Sequence, residues 1–282
     1  MWTIGVRGMS NRVAYACDVV RVTRISIAPV KGLALVHPDE VELEATGVRA
    51  NRRFYIVDAD GRRYGQIRNG RLVRVRPQYD PEDERLTLTF PDGTVAHGTV
   101  ELGDEITTDF YGRPVTGRLV RGPWSAALSE AFDRPLRLVQ APPGAGVDRG
   151  RGQVSLISEA SLQDLAGHAG NDQPVDGRRF RMLFQVDGVA AHGEDLWQKR
   201  RLRMGDALVR IHGTVGRCAI TTQNPETGVP DSDTLRVLRE YRGFNAKREL
   251  DFGVYGEVLE PGRVRVGDTV EALELSLLDA TA

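Results

Sequence analysis

The segment 216–228, GRCAITTQNPETG, places one of only two cysteines in the 282-residue chain, Cys218, beside the fixed positive charge of Arg217. A neighbouring cation favours the thiolate, the form of cysteine that attacks electrophiles and binds soft metals. The residues that follow are apolar or β-branched and then turn-forming, so we expect Cys218 to begin a strand that runs into a loop. A lone cysteine beside an arginine also fits a small buried apolar residue in a strand. The pattern alone leaves both interpretations open.

Three basic residues have the chemistry to bind an anion. Lys31 precedes a glycine where a strand is expected to bend, and an ammonium and backbone N–H groups can converge on a phosphate at such a place. Arg53, after Arg52, opens an apolar strand, and Arg181 ends the sequence RRFR before another. A guanidinium suits phosphates and planar heterocycles because it offers paired donors. Taken singly, each residue also fits a solvated charge at a strand end.

Charge and motif content exclude several classes of protein. With 38 Lys and Arg against 39 Asp and Glu, no overall field attracts the chain to nucleic acid or to an acidic membrane surface, and we expect neither as a partner. Any anion must be held by a local cluster of cations. Two cysteines cannot supply the four thiolates of an ordinary iron–sulfur cluster or structural zinc site. The sequence contains no HxH, HExxH, GxxxxGK[ST] or GxSxG pattern, which removes the simplest zinc-hydrolase, nucleotide-binding and serine-hydrolase hypotheses.

Residues 1–18 have the composition of a loose N-terminal extension. The apolar stretch 13–17 within it is shorter than the core of about 7 to 15 residues that a secretory signal needs. No run in the chain approaches the roughly 20 apolar residues of a membrane helix. We therefore expect a cytoplasmic protein in which Cys17 is incidental.

The remainder of the chain has the patterning of a mostly β protein with a few helices. Apolar residues alternate in 41–45 and 86–90, and a continuous apolar run fills 54–57 before a turn. Hydrophobic-Gly-Asp sequences at 204–206 and 266–268 each precede further alternation, so we expect turns that feed barrel strands. These features predict a meander or barrel.

Helical periodicity predicts three helices. The first carries an apolar face that includes Trp124 and Leu128, the second begins after Ser158 as N-cap, and the third covers 234–242. Residues 141–152, APPGAGVDRGRG, are expected to form a surface loop within a second domain.

Six short motifs, in a fixed order along the chain, resemble those of MOSC-domain proteins, a family named after the C-terminal domain of molybdenum cofactor sulfurases. They are VTRISIAPVK (22–31), NRRFYIV (51–57), SEASLQDL (158–165), RFRMLF (179–184), RCAITTQNPETG (217–228) and FGVYGEVLEPGRVRVGD (252–268). The resemblance implies a β-barrel MOSC fold preceded by a smaller β-barrel-like domain. The implied organisation is an extension over 1–18, the N-terminal domain over 19–118 and the MOSC domain over 119–276.

The resemblance also implies a bound molybdenum–molybdopterin cofactor. Cys218 would coordinate the metal, and Lys31, Arg53 and Arg181 would hold the phosphate and pterin, with Arg217 as a further cofactor-binding residue. A soft thiolate completes a sulfur-rich metal site, while fixed cations neutralise a dianionic phosphate. At the level of the whole family, the resemblance further implies pyridoxal phosphate binding.

The motifs depart from those of the amidoxime-reducing members and their bacterial relatives. This chain has PVKG, RFRML and GRC where those members have PVKS, RFRPN and SRC. A hydroxyl, an amide and a second hydroxyl are therefore missing, and backbone N–H groups of Gly32 and Gly216 could substitute. The resemblance therefore supports the inference of the cofactor more strongly than the inference of the substrate.

Two functions remain after these considerations. In the first, the protein is a molybdenum-dependent oxidoreductase that reduces small N-hydroxylated or related N–O or S–O compounds, with electrons from a flavin or iron–sulfur reductase as partner. In the second, Cys218 carries sulfur as a persulfide, or the protein delivers the cofactor. Metal content distinguishes the two functions.

Overall fold

The computed structural model describes residues 19–145, 147–148 and 152–274. Within them the chain forms eighteen strands, three α-helices and four short 3₁₀-helices. The predicted extension over 1–18, with Cys17, lies outside the described residues. The strands are β1 (Arg21–Ile25), β2 (Glu40–Glu44), β3 (Gly47–Val48), β4 (Phe54–Asp58), β5 (Arg63–Tyr64), β6 (Arg76–Asp80), β7 (Arg85–Thr89), β8 (Val95–Thr99), β9 (Glu101–Asp109), β10 (Pro114–Arg121), β11 (Leu136–Gln140), β12 (Val154–Ser158), β13 (Phe184–Asp187), β14 (Arg201–Met204), β15 (Ala207–Gly216), β16 (Asp251–Glu260), β17 (Gly262–Arg265) and β18 (Val270–Ala272). The helices are α1 (Trp124–Ala131), α2 (Glu159–His168) and α3 (Thr234–Tyr241).

The largest sheet among the described residues is a nearly closed seven-stranded barrel with the order β1-β13-β12-β16-β15-β14-β18. Adjacent strands of this barrel run antiparallel, except that β12 and β13 run parallel. The first and last strands meet where the Val22 N–H donates to the Asp268 carbonyl (2.9 Å) and the Val270 N–H donates to the Val20 carbonyl (2.8 Å). These bonds cover part of the two sheet edges, and the interior is filled by fully buried apolar side chains such as Phe184, Ile211 and Val254.

A second lobe is built on a five-stranded sheet, β5-β4-β11-β10-β9, and a three-stranded sheet, β6-β7-β8. Helix α1 packs between them through Trp124, which is fully buried and donates its indole N–H to the Leu86 carbonyl (3.2 Å). All five residues of β4 are buried, as its continuous apolar run predicts. The fold is therefore mostly β with a few helices, as expected.

Strands cross between the two lobes at both ends of the predicted first domain. β1 belongs to the large barrel, and β2 pairs with β17 from the end of the chain. β11, which follows the predicted boundary at 118/119, pairs with β4 in the second lobe. The domain boundary itself stays a prediction.

Most local predictions from the pattern are confirmed. Val41 and Leu43 are buried on alternate positions of β2, and residues 204–206 turn from β14 into β15. Ser158 caps α2, accepting the Ser161 N–H at 3.1 Å. None of the described helices combines the length and hydropathy needed to cross a membrane.

The predicted strand after Cys218 is wrong. Residues Ala219–Thr222 form a 3₁₀-helix instead, with Cys218 as its N-cap. The Thr221 hydroxyl donates to the Cys218 carbonyl (3.1 Å) and the Thr222 hydroxyl donates to the Ala219 carbonyl (2.8 Å). These local side-chain bonds to the backbone compete with extended structure and outweigh the β propensity of the threonines.

Candidate active site

Cys218 lies two residues beyond the end of β15, and it is exposed. The alternative interpretation, a small buried apolar residue in a strand, is therefore wrong. The residue lines a cavity of about 980 Å³ between the two lobes. Gly32 and Gly216, the two positions at which the resemblance implies a missing hydroxyl, line the same cavity.

Two close contacts hold the segment after Cys218 against the second lobe. The Gln223 side-chain amide donates to the Gln66 carbonyl at 3.2 Å. Gly228, with φ of +73°, packs so closely on Gly70 that a Cβ on either residue would lie 2.0 Å or less from the carbonyl oxygen of the other. A side chain at either position would push the cysteine segment away from the lobe, so the two glycines fix how closely the lobes approach at the cavity.

Arg217 lines the cavity, but its guanidinium is bonded to the barrel. Nε donates to the Phe252 carbonyl at 2.7 Å, Nη1 donates to the Phe180 carbonyl at 3.1 Å, and Nη2 also donates to the Phe252 carbonyl. The guanidinium carbon lies 5.1 Å from the centroid of the Phe180 ring. Arg217 thus joins β16 to the segment before β13 and holds the start of the cysteine segment in place.

Two of the predicted anion-binding residues, Lys31 and Arg181, do come together, and Arg52 joins them. The Lys31 N–H donates to the Phe54 carbonyl (2.8 Å) and the Arg52 N–H donates to the Ala28 carbonyl (2.7 Å), which brings both residues to the entrance of β4. The Arg52 guanidinium reaches the Arg181 carbonyl at 3.0 Å. We call Lys31, Arg52 and Arg181 the cation cluster.

The backbone of the cation cluster is unusual. Arg52 and Arg181 both have φ of +53°, in the left-handed region that L-residues with a Cβ occupy at a cost of about 1–2 kcal/mol. Such conformations concentrate at functional sites, where the surrounding structure holds them. Here a bond from the Arg181 guanidinium to the Leu33 carbonyl at 2.8 Å helps to hold the conformation.

One carboxylate, Asp148, bridges two of these cations. Its Oδ1 lies 2.5 Å from the Lys31 Nζ, and its Oδ2 lies 3.3 Å from the Arg52 Nε. Burial lowers the pKa of the Lys31 ammonium, and the positive charges of Arg52 and Arg181 lower it further, while Asp148 acts in the opposite direction. Burial, together with Arg52, also lowers the pKa of the Arg181 guanidinium. Among the described residues, the three basic side chains of the cluster thus surround a single carboxylate.

Arg53 does not line this cavity with the other predicted residues. Its guanidinium donates to the Ala141 carbonyl at 2.7 Å and lines a smaller cavity of about 270 Å³. Arg52 and Asp148 line both cavities and so form part of the wall between them. The RR pair offered Arg52 as readily as Arg53, because the two residues are adjacent in the sequence. Asp148 lay in a segment expected to be only a surface loop.

The rim of the large cavity is also rich in arginine. Arg68 donates to the Asp58 carboxylate at 2.9 Å, and Arg62 pairs with Asp60 at 3.1 Å. Burial alone would raise the pKa of Asp58, but hydrogen bonds from the Arg62 N–H and the Arg68 guanidinium hold it below its usual range. At the same rim, the guanidinium carbon of Arg63 lies 4.0 Å from the centroid of the Tyr111 ring.

The residues present fit an anionic, sulfur-coordinated cofactor. The cavity is lined by nine basic and four acidic side chains, although the whole chain carries a net charge of −1. The basic residues are Lys31, Arg52, Arg62, Arg63, Arg68, Arg113, Arg179, Arg181 and Arg217. A local excess of cations beside an exposed thiol supplies both parts of such a site, phosphate binding and soft-metal ligation.

Comparison with known proteins identifies relatives that cover most of the chain. Mitochondrial amidoxime-reducing component 1 of Homo sapiens is 27% identical over 289 residues, covering 91% of this chain and 84% of the relative. Mitochondrial amidoxime reducing component 2 of Bos taurus is also 27% identical, covering 90% of this chain and 83% of the relative. Among solved structures, the YUAD protein of Bacillus subtilis aligns with a TM-score of 0.45 at 14% identity, covering 92% of this chain and 97% of that one.

The family models cover most of the chain. The MOSC N-terminal beta barrel domain matches residues 19–117, and the MOSC domain matches residues 142–271. The first match contains β1–β9 and the second contains β12–β17 and the cysteine segment, while α1 and β11 lie between the two matches. The chain therefore belongs to the MOSC-domain family, with a MOSC N-terminal β-barrel domain ahead of its MOSC domain.

Proposed function

We propose that this protein binds the molybdenum cofactor in the cavity beside Cys218 and reduces N-hydroxylated compounds. The observation that carries the proposal is the opening of an exposed cysteine into the same basic cavity as the cation cluster. The relatives named amidoxime-reducing components support the reaction class. A reductase acting on a related N–O or S–O bond would use the same site.

Each residue of the site has a distinct role in this proposal. Cys218 is the thiolate ligand of the metal. Lys31, Arg52 and Arg181 bind the cofactor's phosphate and pterin, and Arg52 takes the place that the family pattern suggested for Arg53. Arg217 positions the cysteine through its bonds to the barrel. When bound, the molybdenum centre supplies a Lewis acid able to exchange two electrons.

Reduction of an N-hydroxyl group consumes two electrons and two protons and releases water. We propose that the electrons come from a separate flavin or iron–sulfur reductase, because two cysteines in the chain cannot ligate an ordinary iron–sulfur cluster. The protons must reach the cavity from solvent or from its ionisable groups, of which Lys31 and Asp148 form a bonded pair. The small-molecule substrate enters through the arginine-rich rim.

Metal analysis of wild-type protein and of Cys218→Ser tests the proposal. Protein made in a host that synthesises the cofactor is expected to contain about one molybdenum per chain and to reduce benzamidoxime when a reducing system is added. Cys218→Ser is expected to lose turnover, with either loss of molybdenum or changed metal spectra, whereas Cys17→Ser should match wild type. Wild-type spectra and turnover in Cys218→Ser would refute the assignment of the cysteine.

The exposure of Cys218 also favours a second function, that of a sulfur carrier. An accessible thiol can hold a persulfide and pass the outer sulfur to an acceptor. Mass spectrometry of the intact protein separates the two functions. A gain of one sulfur atom at Cys218 in protein free of molybdenum supports the carrier, and stoichiometric molybdenum supports the reductase.

A further inference from the structure

We propose that Asp148 is an internal competitor for the cation cluster, so that a phosphate-bearing ligand must displace its carboxylate to bind. This inference rests on the proposed function for the identity of the natural ligand, the phosphate of the cofactor. Its physical content is independent of molybdenum, because it concerns only the exchange of one anion for another at Lys31, Arg52 and Arg181.

The contacts of Asp148 are those that a phosphate would make. One carboxylate oxygen lies 2.5 Å from the Lys31 Nζ and the other lies 3.3 Å from the Arg52 Nε, so a single anionic group spans two cations. Two oxygens of a phosphate can span the same pair, since carboxylate and phosphate offer paired acceptors of similar spacing to basic side chains. Both anions therefore require the same N–H donors and cannot use them together.

The charge of the cluster favours the exchange. Three cations face one carboxylate, and the lowered pKa of Lys31 reflects both its burial and the repulsion from Arg52 and Arg181. A phosphate dianion neutralises one more positive charge than Asp148 does. The interaction is strengthened by the half-buried setting, where the side chains of Lys31 and Arg52 are only 20% and 15% exposed.

The position of Asp148 makes displacement possible. Its side chain is 38% exposed, more than either cation that it contacts, and it lies outside the strands and helices. It also lines the smaller cavity on the other side of Arg52. A change of side-chain rotamer can therefore move the carboxylate away from Lys31 without breaking a strand or helix.

The inference is tested by titrating inorganic phosphate into the full chain, produced in a host that cannot make the cofactor, with calorimetry at constant ionic strength. Asp148→Asn is expected to bind phosphate about tenfold more tightly than wild type, because the competing charge is gone while the three cations remain. Arg52→Gln should weaken phosphate binding both in the wild-type protein and in Asp148→Asn. Asp60→Asn is the matched control, since Asp60 lines the same cavity but pairs with exposed Arg62, and it should leave the affinity unchanged.

Unchanged or weaker phosphate binding by folded Asp148→Asn would overturn the inference. If that variant fails to fold, the rate of Lys31 acetylation is measured in the wild-type protein instead, with and without phosphate. Phosphate should then slow the acetylation of Lys31 and should not make any other lysine react faster. Lack of protection would also overturn the inference. This test and the test of the proposed function can fail independently. Tighter phosphate binding in Asp148→Asn together with wild-type protein that carries no molybdenum would refute only the proposed function. Unchanged phosphate binding together with stoichiometric molybdenum would refute only the competition.

Discussion

Replacing Arg217 with alanine distinguishes a residue that positions the cysteine from one that contacts the cofactor. The guanidinium joins the carbonyls of Phe180 and Phe252 across two segments of the barrel. Arg217→Ala leaves both carbonyls without this donor next to the cysteine segment. We expect the variant to lose stability whether or not the cofactor is present.

The size of the effect follows from the contacts. Hydrogen bonds from a charged donor contribute about 1.5–3 kcal/mol each, and two carbonyls are involved, while water can replace part of the loss because the site is half-buried. Stacking near the Phe180 ring adds about 0.5–1 kcal/mol. We therefore expect the free energy of unfolding to fall by about 2–4 kcal/mol. Arg217→Lys should recover less than half of this, because an ammonium cannot span both carbonyls with the fixed fork of a guanidinium.

Urea unfolding of the cofactor-free protein, followed by far-UV circular dichroism, measures the loss directly. Arg62→Ala is the control: its ion pair with Asp60 is exposed on both sides, so the cost should stay below about 1 kcal/mol. A loss below 1 kcal/mol in Arg217→Ala, combined with a fall in molybdenum content of the loaded protein, would show that the guanidinium serves the cofactor and not the barrel.

Three further outcomes are expected. Ser158→Ala should cost about 2–3 kcal/mol in urea unfolding, because it removes both the N-cap of α2 and a 2.8 Å hydrogen bond to the fully buried Glu194 carboxylate, and a cost typical of an exposed serine would contradict this network. Asp58→Asn should cost about 1–2 kcal/mol at pH 7. Folding lowers the pKa of Asp58, so its contribution is complete above the pKa of an unfolded aspartate, about 4, and is lost as the pH falls through the lowered pKa. The difference in stability between wild type and variant should therefore shrink on acidification, and a constant difference would refute the linkage. In a Cys17→Ala background, Cys218 should react with an aromatic disulfide reagent in the folded protein, and a reaction that needs denaturant would contradict its exposure.

Much of the fold follows from the sequence because it is encoded by local periodicity. The alternation of Val41 and Leu43 predicts the half-buried face of β2, and the unbroken apolar run after Arg53 predicts the buried strand β4. Ser158 marks the start of α2, since a hydroxyl before an apolar-periodic segment can accept a free N–H of the first turn. Cys218 stands out for its rarity and its neighbouring charge. These signals need only residues that are adjacent or a few positions apart.

The composition of the site depends on contacts that no local pattern contains. Lys31 and Asp148 are 117 positions apart, and their pairing arises only when the loop before β12 is placed against the entrance of β4. Whether Arg52 or Arg53 faces the cavity depends on the left-handed backbone at Arg52, which tertiary contacts impose. The Arg217 guanidinium donates to the carbonyls of Phe180 and Phe252, which only the tertiary fold brings together.

The conformation next to Cys218 depends on tertiary contacts as well as on the local hydroxyl bonds of Thr221 and Thr222. β-branched residues favour a strand by propensity, but a propensity amounts to a few tenths of a kcal/mol per residue and yields to packing. The docking of Gly228 on Gly70 and the bond from Gln223 to the Gln66 carbonyl hold the segment against the second lobe, and the chain between Cys218 and Gln223 forms a 3₁₀-turn. The sequence alone determined which residue could act as the thiol, while only the packing of the two lobes determined that it is exposed to a basic cavity.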